Sequence, residues 1–151
     1  MKPTHIIIAA AILALLALVW WNYAQRQDVL SIHMKEHTDL QLHTHSELTI
    51  EILGETLTIP ADIGIDPQGM RVIHTHDDSG KIHMEAPFKH DFYLRDFFTV
   101  WGKRFDQRCI MDYCEDDNHT LTMSVNGVET DQRGDLLLLD DDVIVIKYAQ
   151  K

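Results

Sequence analysis

Hydrophobic and polar residues alternate over long stretches of the chain after residue 40, and this period of two is typical of β-strands. In residues 40–52, leucine and isoleucine fall on one side, and polar residues that include His43 and His45 fall on the other. Residues 56–59 read as the returning strand, which Pro60 ends because proline cannot donate to the ladder. This part of the chain therefore predicts a hairpin with one buried face.

In the C-terminal third, alternating polarity predicts two more strands, residues 120–125 and 143–148, and an Asn-Gly turn follows the first. Between the two halves, residues 92–105 carry aromatic side chains at helical spacing, which predicts a short helix packed on the sheet. The expected fold is therefore mainly β (α+β): an antiparallel sheet of hairpins with one packed helix. The C-terminal part also resembles the end of a β-grasp domain, as a fold-level analogy.

The segment 71–87 is the most informative one. Turn-forming residues 77–80 separate two segments of alternating polarity, so we expect a β-hairpin. An even-length loop keeps Ile73, Ile82 and Met84 on one face, because side chains two apart share a face. A turn centred on residues 79–80 would pair His76 with His83 and His74 with Glu85. The predicted polar face then carries His74, His76, His83 and Glu85.

The N-terminal residues 1–24 read as a transmembrane signal anchor. Residues 6–21 carry no charge, proline or glycine, and about 18 residues at 1.5 Å each would reach roughly 27 Å, close to a bilayer core. A cleaved signal peptide is the alternative, although no small residue stands at the required position, because Asn22 occupies it. Residues 25–39 are expected to form a linker, and residues 40–151 a single His-rich soluble domain outside the cytoplasm.

Composition narrows the choice of function. A net charge of −11, with 24 acidic against 13 basic residues, argues against nucleic acid as a partner, because phosphate binding needs a concentrated basic face. The two cysteines, Cys109 and Cys114, are expected to form a disulfide outside the cytoplasm. Two thiolate metal ligands are the alternative, but tetrahedral thiolate sites usually contain a second pair.

Ten histidines in 151 residues are the strongest chemical signal. Neutral imidazole binds copper and zinc well, and a His-x-His pair on a strand directs both rings to one face. If the strands are neighbours, the candidate metal ligands converge: His43, His45, His74, His76, His83 and Glu85. The expected cofactor is Cu or Zn, as one or two ions. Glu47 and Asp77 are candidates for a further ligand or for orienting an imidazole. The alternative is that these histidines are exposed polar positions or hydrogen-bonded groups without a ligand.

An ordered set of motifs along the chain resembles a family of uncharacterised archaeal and bacterial membrane-anchored proteins. The matching segments are His43-Thr44-His45, residues 59–65, His74-Thr75-His76-Asp77 through Gly80, Ile82-His83-Met84-Glu85-Ala86-Pro87, Phe97-Phe98 with Trp101-Gly102, and Val125-Asn126-Gly127. The resemblance covers nearly all of the chain after residue 40. It implies an exported domain with a histidine metal site, and it implies no particular activity.

These observations lead to three hypotheses. The first is a single-pass, membrane-anchored, extracytoplasmic protein that captures or delivers copper or zinc, with the membrane, the metal ion and a membrane-protein complex as partners. The second is a zinc-dependent hydrolase or lyase with a three-histidine site and a metal-bound water. The third is a structural subunit in which the histidines are incidental. The binding protein is the leading hypothesis of the three.

Overall fold

The computed structural model describes residues 3–35 and 39–151. The chain divides into two compact units, Met1–Ile32 and His33–Lys151. The first unit contains helix α1 (Pro3–Leu30) of 28 residues, in which the described side chains of residues 7–22 are exposed. The second unit contains all the strands and helix α2 (Leu94–Trp101).

The prediction of a transmembrane helix is contradicted. Among the residues that the structure describes, no helix is both long enough and apolar enough to cross a membrane. The predicted signal anchor, and with it the predicted single-pass membrane localisation, is therefore corrected.

The predicted linker, residues 25–39, contains regular structure in its described part. Helix α1 continues to Leu30, and His33 and Met34 form the first strand of the second unit. Residues 36–38 of that stretch lie outside the described residues, as do residues 1 and 2 of the predicted anchor.

Twelve strands are described in the second unit. In chain order they are β1 (His33–Met34), β2 (Leu42–Ile52), β3 (Glu55–Leu57), β4 (Ile65–Asp66), β5 (Gly69–Arg71), β6 (Ile73–His74), β7 (Lys81–Ala86), β8 (Cys109–Ile110), β9 (Tyr113–Cys114), β10 (His119–Val125), β11 (Val128–Glu129) and β12 (Asp142–Gln150). The mainly β prediction therefore agrees with the described fold.

The largest sheet is mixed, which corrects the prediction of a purely antiparallel one. Six of its seven strands follow one another in the order β11, β10, β12, β2, β7 and β6. The seventh, β3, pairs with the C-terminal end of β2, at residues 50–52. Strand β12 runs parallel to β2, with Asp142 opposite Ser46 and Tyr148 opposite Ile52. Parallel pairing needs a long crossover, and the chain between these strands includes α2 and the hairpins β8–β9 and β10–β11. Hairpin signals along the sequence are local and do not reveal such a pairing.

Helix α2 and the sheet form the core of the second unit. The backbone N–H of Tyr93 donates to Asp96 at 2.8 Å, which caps the first turn. Gly102 ends the helix in the left-handed conformation, with φ 69°. Phe97 and Phe98 are at most 1% exposed. The predicted helix is thus present, although shorter than residues 92–105.

The two cysteines lie opposite each other in the small hairpin of β8 and β9. Their sulfur atoms are 2.01 Å apart, so the pair lies at disulfide distance as the sequence predicts. This hairpin forms a sheet of its own, separate from the seven-stranded sheet.

Candidate metal centre

The three strands β2, β7 and β6 lie side by side and position the predicted ligands. His45 lies opposite His83, and His83 lies opposite His74 on its other side. His43 lies opposite Glu85 in the next row. Because alternate residues share a face of a strand, all these side chains project from the same face of the sheet.

The opposite face of β6 and β7 is apolar, and this determines which way the histidines of these two strands point. Ile73 and Ile82 are fully buried, and Met84 is 1% exposed. Moving either strand by one residue would place its histidines on the apolar core side and its apolar side chains on the opposite face. The hydrophobic alternation in the sequence therefore determines that the histidines share a face, as predicted.

The predicted register of the hairpin is wrong by two residues. His74, rather than His76, lies opposite His83, because β6 ends at His74 and the next residue leaves the ladder. The Thr75 N–H donates to the Ile63 carbonyl at 3.0 Å, and the Thr75 hydroxyl donates to the Pro60 carbonyl at 2.9 Å. A shift of two residues preserves the faces, so the histidines still converge.

His76 reaches the same place from outside the strand. Its ring centroid lies 4.7 Å from that of His74 and 4.6 Å from that of His83. On the other side, the rings of His45 and His83 are 4.5 Å apart, and those of His43 and His45 are 4.9 Å apart. The five imidazoles form a continuous row, and together with Glu85 we call them the histidine cluster.

His74 is fully buried, and its ring orientation is determined by a backbone group. Nδ1 lies 2.8 Å from the carbonyl oxygen of Arg71, and a carbonyl only accepts, so Nδ1 carries the proton. Burial lowers the pKa of His74 to about 4, so the ring is neutral near pH 7. In this tautomer Nε2 presents its lone pair, which is the arrangement typical of a metal-binding histidine.

Nε2 of His74 lies 3.1 Å from Nε2 of His76. Metal–nitrogen bonds of about 2.0–2.1 Å in a tetrahedron place two ligand nitrogens about 3.3 Å apart. The observed separation is therefore close to the edge of a tetrahedral site.

Glu85 is the acidic member of the histidine cluster and is 1% exposed. Its Oε1 lies 3.4 Å from Nε2 of His43 and 3.4 Å from Nδ1 of His83. That His83 nitrogen is buried and forms no hydrogen bond of good geometry with a described residue. Burial is the main cause that lowers the pKa of His83, and the neighbouring His45 and His76 add to it.

Two sets of donor atoms within the histidine cluster are close enough to hold an ion. The inner group consists of His74, His76, His83 and Glu85, and the outer group consists of His43, His45 and Glu85. Within each group the donor atoms all lie within 4.8 Å of one another, which exceeds the tetrahedral edge by no more than about 1.5 Å. The inner group extends from buried His74 and Glu85 to exposed His76.

The structure brings together all six residues that the sequence singles out as metal ligands. Whether they hold an ion stays a prediction. Of the two other acidic candidates, Asp77 instead accepts a hydrogen bond from the backbone of Ser79 at 3.0 Å, and a hydrogen bond from the Ser79 side chain is the main cause that lowers its pKa. Glu47 lies opposite Lys81, beyond the histidine rows.

Two supporting residues were not predicted. Asp140 Oδ1 accepts a hydrogen bond from the backbone N–H of His45 at 2.8 Å and lies 4.0 Å from Nδ1 of the same residue. The carbonyl of Arg71 orients His74. Asp140 comes close only through the parallel pairing of β12 with β2, and a backbone carbonyl has no signal in the side-chain pattern.

Comparison of the chain with protein-family models, with curated proteins and with solved structures gave no match. The function of the histidine cluster therefore has to be argued from its own residues.

Proposed function

We propose that this protein binds a zinc or copper ion through the inner group, His74, His76, His83 and Glu85. The observation that carries the proposal is that three imidazoles and one carboxylate place their donor atoms within 4.8 Å of one another. Three nitrogens and one oxygen are a donor set that suits both metals.

The surroundings of the ligands support this proposal. The Arg71 carbonyl holds the proton of His74 on Nδ1, so Nε2, which faces His76 Nε2 at 3.1 Å, would bind an ion without a change of tautomer. A divalent cation would also compensate the charge of Glu85, a carboxylate that is costly to bury. Exposed His76 provides a path by which an ion can enter.

The donor set favours binding over catalysis. Four protein ligands fill a tetrahedral zinc site, whereas catalytic zinc keeps a position for water. Capture or delivery of the ion is therefore a better hypothesis for the inner group than hydrolysis. Of the two metals, Cu(II) is expected to bind more tightly, in line with the general order of affinities.

The test is metal analysis of the untagged protein after incubation with zinc, and separately with Cu(II), followed by removal of the excess. We expect at least one tightly held ion per chain, and loss of that ion in the double variant His74→Ala/His76→Ala. The matched control is His90→Ala/His119→Ala, which removes two imidazoles outside the histidine cluster and should leave metal content unchanged. A wild type that holds no zinc or copper, and whose stability neither ion changes, would end the proposal.

A further inference from the structure

The inner and outer donor groups share Glu85, so the histidine cluster offers donor atoms for two ions. We infer that the histidine cluster is a dinuclear centre in which the Glu85 carboxylate bridges an inner ion and an outer ion, the outer one held by His43 and His45. The inference rests on the proposed function of the inner group.

The position of Glu85 is the first argument. His43 approaches its Oε1 from β2, and His83 approaches the same oxygen along β7, each at 3.4 Å. The carboxylate is thus flanked by a donor from each group. The ions of two-metal sites lie about 3.5–4 Å apart, a separation that one carboxylate can span.

The number of donors is the second argument. The inner group would use three of the five imidazoles, and His43 and His45 would remain beside the same carboxylate. Their ring centroids are 4.9 Å apart, and that of His45 is 4.5 Å from that of His83. Two imidazoles and a carboxylate whose donor atoms lie within 4.8 Å of one another form a three-donor set of the kind that binds zinc or copper.

The inner and outer groups differ in the number of protein donors and therefore in whether a coordination position stays open to other ligands. The outer group has three protein donors and lies toward solvent, with the His43 side chain 53% exposed and that of His45 31% exposed. A tetrahedral ion held by three donors has one free position, which water or a small anion would occupy. The outer ion should therefore exchange faster than the inner one and should be the ion that meets external ligands.

Nearby charge is compatible with a second cation. The Asp140 carboxylate lies 4.0 Å from the His45 ring and is 55% exposed. The Glu85 carboxylate alone carries too little negative charge to compensate two divalent ions. Asp140 adds negative charge on the side of the outer ion. The overall charge of −11 acts in the same direction.

The test combines copper stoichiometry with electron paramagnetic resonance of the Cu(II)-loaded full chain. We expect two ions per chain, a signal weaker than two isolated Cu(II) ions would give, and a half-field line from their coupling. The variant His43→Ala/His45→Ala should hold one ion with an ordinary uncoupled signal, and a chelator should remove one of the two wild-type ions first. The control His90→Ala/His119→Ala should match the wild type.

The possible failures are distinguishable. One ion in the wild type, unaffected by His43→Ala/His45→Ala, would overturn the dinuclear centre and leave the inner group intact. Two ions with uncoupled signals would overturn the bridge. Loss of all copper in His43→Ala/His45→Ala would show one ion shared by the whole row, which also overturns the inference. No ion in the wild type would end the proposed function itself.

Discussion

At the scale of single residues, the histidine cluster combines two buried titratable groups. His74 is fully buried, and Glu85 is 1% exposed. Burying such groups is unfavourable unless partners compensate it. Their positions are consistent with a site that is organised before the ion arrives, because His74 is already neutral and oriented.

Replacement of Glu85 tests the acidic ligand. Glu85→Gln keeps the size of the side chain and removes its charge, so zinc affinity should fall by at least ~10-fold, since even residues that only orient the ligands contribute 10–100-fold. Glu47→Gln is the matched control, because Glu47 lies opposite Lys81 and outside both donor groups. Equal affinities of the two variants by competition with a chromophoric chelator would show that Glu85 is not a ligand.

The pKa of His74 predicts an acid-sensitive metal-free protein. The unfolded chain protonates this histidine below about pH 6.5, whereas in the folded chain its pKa is about 4. The unfolded state therefore binds more protons between these values, and the free energy of unfolding should decrease as the pH falls through this window. The contribution of His74 is up to about 3 kcal/mol, at roughly 1.4 kcal/mol per pKa unit.

Urea unfolding of the metal-free protein between pH 4 and 6.5 measures this effect. His74→Asn retains a donor for the Arg71 carbonyl and does not titrate, so its stability should vary less with pH than that of the wild type. His90→Asn, which replaces a half-buried histidine outside the histidine cluster, is the control and should keep the wild-type slope. Parallel curves for the wild type and His74→Asn would contradict the buried neutral state.

At the scale of elements, the end of β6 decides the shape of the site. Thr75 is fully buried and ties the chain to residues 60–63 through its backbone and its hydroxyl. Its Oγ1 also accepts from the backbone N–H of Ile63 at 3.1 Å. These bonds pull the chain out of the ladder and let His76 turn back over His74.

Thr75→Val should therefore affect both stability and the metal site. It leaves the Pro60 carbonyl and the Ile63 N–H without their side-chain partner, which costs about 1–3 kcal/mol for buried groups. Zinc affinity should fall as well, because His76 loses its anchor. Thr122→Val on β10 is the control and should change stability by no more than ~0.5 kcal/mol. A Thr75→Val protein with wild-type stability and affinity would contradict this role.

Strand β6 also shows which structural features the sequence could predict and which it could not. Alternation of Ile73, Ile82 and Met84 with the histidines was enough to predict which residues share a face. The register was not predictable, because the hydrogen bonds of Thr75 to residues 60–63 are tertiary contacts that no local pattern records. The role of Asp140 was hidden for the same reason, since it depends on the pairing of two strands far apart in sequence.

At the scale of the whole molecule, the histidine cluster and the disulfide belong to different sheets. The cluster lies on the seven-stranded sheet, whereas Cys109 and Cys114 close the hairpin of β8 and β9. Hydropathy predicted strands and the packed helix well, because burial on one face leaves a period in the sequence. It was wrong about the N-terminal segment, because no helix among the described residues is long and apolar enough to cross a membrane.

Because the disulfide and the histidine cluster lie in different sheets, we expect the disulfide to contribute to stability and not to metal binding. A count of free thiols on the unreduced, unfolded protein should give zero. Cys109→Ala/Cys114→Ala should lower stability by about 2 kcal/mol, the loop-closure contribution of a short loop, and should leave zinc affinity unchanged. Loss of metal binding in this variant would show that the cysteines take part in the site.

The most direct measurement of the central claim is anomalous diffraction at the zinc edge from crystals of the zinc-loaded protein. The account predicts a peak at bonding distance, about 2.0–2.2 Å, from nitrogens of His74, His76 and His83 and from a Glu85 oxygen. Zinc bound instead at the half-buried pair of His33 and Asp66, or a histidine cluster that shows no anomalous peak in zinc-loaded crystals, would contradict it.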